Sequence, residues 1–155
     1  MKKAGRYDRG FTMIEIIAVL IILGIISAVA VSRISSTDIY TLKSQTDVIK
    51  GHLRYAQLLA MNSDSVWGIN FPSSTTYSLF RNGNTGSTVT LLGEDSDIVT
   101  LPSGVAVSTG TVSFNDWGSP YGNATATAPS TDITITVTYN GTESILITKN
   151  TGYIP

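Results

Sequence analysis

"IYTLKSQTDVIKGHLRYAQLLA", residues 39–60, sets Ile39, Leu42, Thr46, Ile49, Leu53, Ala56 and Ala60 at alternating steps of three and four. That period turns one stripe of an α-helix inward. No proline occurs between Phe11 and Phe71, so nothing in the preceding sequence stops the helix. The spacing predicts one helix from Phe11 to about Met61, and about 50 residues at 1.5 Å each extend for about 75 Å. Its outer half, 32–61, needs a cover for its apolar face, and the remainder of the chain is the available material.

Upstream, "FTMIEIIAVLIILGIISAVAV" (11–31) is apolar apart from Thr12, Glu15 and Ser27. About 21 helical residues cross a hydrocarbon layer of roughly 30 Å. Lys2, Lys3, Arg6 and Arg9 against Asp8 give residues 1–10 a charge of +3, leaving −4 for the rest. Positive charge ahead of the span keeps the N-terminus cytoplasmic and sends the C-terminal part outward. A secretory signal peptide is the competing reading: Lys2 to Arg9 as the charged region, Ile16 to Ile26 as the apolar core, cleavage after Ala28-Val29-Ala30. Glu15 sits badly at the head of such a core, and the helical pattern runs on past the cleavage site.

Downstream of Asn62-Ser63-Asp64 the pattern changes to short alternating runs: "VWGINF", "TYSLFR", "STVTLL", "DIVTL", "GVAVS", "TVSF", "DITITVTY" and "SILIT". Rich in β-branched and aromatic residues, they read as strands. Asn82-Gly83 and Asn140-Gly141 are tight-turn dipeptides, the second joining a hairpin. "NDWGSPYGNATATAPST" (115–131) has the composition of a surface loop. The expectation is an α+β domain, 62–155, of antiparallel sheet packed on the helix.

Composition narrows the function. Charged residues make up 14%, against roughly 25% in average soluble domains. The acidic balance beyond Gly10 leaves no basic stripe for nucleic acid. There is no cysteine, and His52 is the single histidine. Thiolate metal sites, disulfides and a Ser-His-Asp arrangement have little to build on. No catalytic constellation is visible, and no cofactor or metal is expected.

A cationic leader ending in Gly10, then Phe11-Thr12-Met13-Ile14-Glu15, then an apolar run containing Gly24, resembles the signal of type IV prepilins and type II secretion pseudopilins over residues 5–31. The resemblance implies that a prepilin peptidase cuts after Gly10 and methylates the new N-terminus, Phe11. It puts the family's assembly glutamate at Glu15. A glycine before the cut lets extended backbone enter a peptidase site unhindered. Phe11 and Glu15 are about 6 Å apart along a helix. At 4 Å and an effective dielectric near 20, an amine–carboxylate pair between neighbouring subunits is worth on the order of 4 kcal/mol before desolvation. Repeated head to tail, such a contact builds an open filament. Where the family commonly has proline late in the apolar run, this chain has Ser32.

The second half is similar to the H-type minor pseudopilins and FimT-type minor pilins, on the passages "LRYAQLLAMNSDSVWGINF", "VSFNDWG" and "TKNTGYI". The resemblance implies a minor subunit held in the bacterial inner membrane with a periplasmic globular domain. It then joins other subunits in a pilus or pseudopilus through an inner-membrane assembly platform. The alternative is a secreted or tethered carbohydrate- or protein-binding module using Trp117 and Tyr121, for which core or loop anchoring is the plainer role. Glu94, Asp95 and Asp97 offer oxygen for calcium, but without the alternating ligand positions of a calcium loop they read as a solvated acidic turn. His52 reads as a surface or packing residue. The sequons at Asn123 and Asn140 read as chance matches.

Overall fold

The computed structural model describes residues 11–127 and 131–155, the side chains of residues 31–37 excepted. Helix α1 is Met13–Met61. By contacts the chain divides into two units, Met1–Thr37 and Asp38–Pro155. In the first unit, residues 11–30 bury no side chain. Met13–Ala30 is long and apolar enough to cross a membrane, with a mean hydropathy of 2.8.

In the second unit α1 turns Thr46, Ile49, Leu53, Ala56 and Ala60 fully inward, with Leu42 at the margin. The expected stripe therefore begins later than its period suggests. Ile39 is 70% exposed, and the neighbouring Asp38 accepts a hydrogen bond from Asn140. Buried Thr46 is satisfied by donating to the Leu42 carbonyl, 2.9 Å away. At the other end Asn62 Nδ2 and Ser63 Oγ donate to the Leu58 and Leu59 carbonyls. Both carbonyls also accept the Asn62 amide, at 3.1 and 3.3 Å, so the side chains add second bonds where the helix ends.

The strands are β1 Trp67–Phe71, β2 Thr76–Arg81, β3 Asn84–Val89, β4 Ile98–Thr100, β5 Ala106–Val107, β6 Gly110–Phe114, β7 Pro120–Tyr121, β8 Ile133–Thr138 and β9 Thr142–Ile147. One antiparallel sheet runs β3-β2-β1-β6-β7, with β4 also on β2; the second runs β5-β8-β9. Ile69, Tyr77, Leu79, Val112 and Phe114 from the first sheet and Ile135, Val137, Ile145 and Ile147 from the second join the α1 stripe in one core. This is the α+β, pilin-like arrangement of a helix packed on antiparallel sheet.

The two turns use their asparagines differently. Asn82 and Gly83 both take left-handed conformations, φ 58° and 66°, as a two-residue turn that follows the strand twist demands. The β8–β9 connection is longer: Thr138 pairs with Thr142 around Tyr139-Asn140-Gly141, with φ 47° at Asn140. The strand expected at "STVTLL" lies earlier, because the turn starts β3 at Asn84 and Leu91 leaves the sheet to enter the core. β7, inside the expected loop, carried no strand pattern.

Gly68 on β1 is a packing necessity. A Cβ there would lie 2.7 Å from Phe80 Cζ and against the Val112 carbonyl oxygen. Gly68→Ala is expected to destabilise the chain by about 1–3 kcal/mol through overpacking. Urea unfolding checks this, with Gly86→Ala as control, since its Cβ would meet only the Asn84 side chain.

Candidate functional site

Thr12 opens α1, and the geometry around it fixes Glu15. The Glu15 amide donates to Thr12 Oγ1 at 3.3 Å and to the Thr12 carbonyl at 3.1 Å. Thr12 thus stands at the cap and Glu15 three residues on, the spacing of a capping box. A carboxylate in the first turn also meets the positive end of the helix dipole. The cap itself was legible in Thr12-Met13-Ile14-Glu15, a pattern the span's hydropathy obscures. Phe11 is 80% exposed. Gly10 and the leader 1–10 lie outside the described residues.

A second polar cluster lies in the globular unit. His52 of α1 places Nδ1 2.8 Å from the Tyr77 hydroxyl on β2. Its Nε2 is 4.0 Å from Glu94 Oε1, in the turn after β3. Burial lowers the His52 pKa below 6.5, and Glu94 opposes the shift. Burial, with Glu94 adding to it, pushes the Tyr77 hydroxyl well above its ordinary value. The arrangement that satisfies all three groups has Tyr77 donating to Nδ1 and the Nε2 proton facing Glu94. The cluster ties helix, sheet and acidic turn together. His52 is a packing histidine with two defined partners.

The other acidic side chains go elsewhere: Asp97 accepts a hydrogen bond from Thr88, and Asp95 is exposed. Among the described residues no group of three or more His, Asp or Glu gathers as a metal site.

The 115–131 segment, of which 128–130 are outside the described residues, is built around Asn115. Its Oδ1 accepts from the Trp117 and Ser119 amides. Gln57 donates to the Gly118 carbonyl and Ser119 Oγ to that of Asn150. So held, Trp117 stands 79% exposed. Tyr121 is half-buried on β7, paired with Ser113 of β6. Trp67 packs beside the core and donates to Ser63. Among the described residues no ring contact joins these three aromatics.

The sequence profile of the family described as the prokaryotic N-terminal methylation motif matches residues 5–31. No curated protein and no solved structure matches the chain. The motif is a type IV pilin-like prepilin signal and supports a pilin- or pseudopilin-type precursor, a structural subunit processed by a prepilin peptidase and assembled with other pilins. With the apolar helix it fits a single-pass, membrane-anchored protein.

The His52 cluster gives a pH prediction. A histidine whose folded pKa is lowered binds fewer protons than in the unfolded chain, so its contribution is full above about pH 6.5 and falls as pH drops towards the folded pKa. Urea unfolding of the wild type is expected to lose more stability between about pH 7 and pH 5 than that of His52→Gln. Equal pH slopes in the two proteins would remove His52 as the sensor.

Proposed function

We propose that this chain is a minor pilin or pseudopilin, a structural subunit of a type II secretion pseudopilus or a type IV pilus. The observation that carries the reading is the N-terminal methylation motif at residues 5–31, coupled to a carboxylate in an otherwise uncharged, outward-facing helical span. In this reading the peptidase cuts between Gly10 and Phe11 and methylates Phe11. The subunit waits in the bacterial inner membrane with its globular unit in the periplasm. The assembly platform then extracts it into the filament, which is how it serves assembly and protein secretion.

Glu15 is central to that path. Buried in lipid or in a filament, a carboxylate without a cation is costly. The amine created at a neighbouring subunit's Phe11 is the complementary charge, and the pair repeats along the filament. Capping by Thr12 serves the same end, since it holds the helix start where the amine arises. The H-type and FimT-type minor subunits are the branch favoured by the passages "LRYAQLLAMNSDSVWGINF", "VSFNDWG" and "TKNTGYI". Trp117, rigidly presented, is the candidate contact for cargo or a neighbouring subunit, with Tyr121 on the adjoining strand.

The test is expression beside a prepilin peptidase and a pilus or pseudopilus assembly system. Gly10→Val is expected to leave the precursor at full length. Glu15→Gln is expected to be cleaved normally yet incorporated less by on the order of tenfold, the scale of one lost ion pair partly offset by desolvation. Normal incorporation of Glu15→Gln would reject the ion pair, and cleavage of Gly10→Val at the same bond would reject the processing step.

A further inference from the structure

β9 forms one margin of the three-stranded sheet β5-β8-β9. Which of its peptide groups are free follows from the neighbouring strand. Ser108 donates its amide to the Thr136 carbonyl, so Thr136 turns its backbone groups towards β5. In an antiparallel ladder backbone direction alternates along a strand. The β9 partner of Thr136 is Ser144, and that of Thr134 is Leu146. The N–H and C=O groups of Ser144 and Leu146 therefore point away from β8.

The next group in this series confirms the direction. Thr148 turns its amide the same way and donates to the Tyr153 carbonyl at 3.0 Å. The C-terminal segment thus fills the edge at Thr148 and then leaves it, because Ile154 is buried in the core and gives its carbonyl to Arg54. Among the described residues Ser144 and Leu146 have no backbone bond on that side. Ser144 is exposed and Leu146 is 43% exposed.

One flank of α1 faces β9 at Lys43 and the C-terminal segment at Arg54 and Gln57. Lys43 reaches Glu143 at 3.3 Å, Arg54 reaches the Ile154 carbonyl, and Gln57 reaches the Thr151 carbonyl. Lys50 lies seven residues after Lys43 and four before Arg54 in the sequence, on that same flank. Among the described residues neither Lys50 nor Arg54 has an acidic partner within ion-pair distance, whereas Lys43 is neutralised by Asp47 and Glu143. The edge offers unpaired peptide groups beside unneutralised positive charge.

We infer that the open edge of β9, at Ser144 and Leu146, receives an extended acidic segment of a partner protein as an added strand. Main-chain bonds to the edge supply affinity, and acidic side chains on the α1 side meet Lys50 and Arg54. The inference goes beyond the filament reading and does not depend on it. Glu15 and the leader play no part.

The test uses the full chain in neutral detergent and two fluorescent peptides: one alternates threonine or valine with glutamate, the other replaces glutamate by lysine. Anisotropy should show saturable binding of the glutamate peptide alone. Leu146→Pro removes an amide that points away from β8, a change an edge position tolerates, and is expected to weaken binding by about tenfold or more. Circular dichroism establishes that this variant is folded. Lys50→Glu, outside the strand, is expected to reverse the preference between peptides. Equal binding, no binding, or indifference to both variants overturns the proposal. It is likewise overturned if the chain self-associates through β9, Leu146→Pro abolishes that, and neither peptide competes.

Discussion

Two sheets that share no strand bury their inner faces against a single stripe of α1, and the Val107 amide of β5 also donates to the Ser74 carbonyl between β1 and β2. Ile49, Leu53, Ala56 and Ala60 are all fully buried, and both sheets bury their inner residues in the same cluster. Large side chains fill the width, while the alanines let β-structure approach the helix axis. Burying one leucine or isoleucine is worth roughly 1.5–3 kcal/mol. The stripe therefore sets the position of everything the sheets carry, including Tyr77, the Trp117 turn and the β9 edge. Polar contacts reinforce it at its rim, where Gln57 joins the Gly118 turn to the C-terminal segment.

The elements with a buried face and a dry neighbour were legible in the sequence. β2, "TYSLFR", and the β8–β9 hairpin follow from alternation and turn chemistry, because a one-residue slip would expose Ile145 and Ile147. The inward stripe of α1 was legible from Thr46 onward. Ile39 continued the period but not the burial, since a helix keeps its repeat after its cover has ended. β7 was hidden because a two-residue Pro-Tyr strand has no periodicity to detect. The partners of His52 were hidden for another reason. Tyr77 is 25 residues away along the chain and Glu94 comes from a different turn, so the three meet only once the sheet has folded.

The N-terminal part was legible as chemistry more than as structure. The apolar span, the charge asymmetry and Glu15 are sequence properties, and the methylation motif matches residues 5–31. What the structure adds is the cap at Thr12, which holds the Glu15 backbone amide and so fixes the first turn that carries the carboxylate. That turn places the carboxylate near the amine that cleavage before Phe11 would create. A signal-peptide core has no use for that geometry, and a subunit that must be recognised by its neighbour does.

The account stands on where the mature chain begins. The most direct measurement is the mass of the N-terminal peptide from protein purified out of the native membrane. A chain beginning at Phe11 with a methyl group on its amine is the predicted result. A chain beginning at Val31, left after removal of residues through Ala30, would contradict it, because the span and Glu15 would be gone from the mature protein.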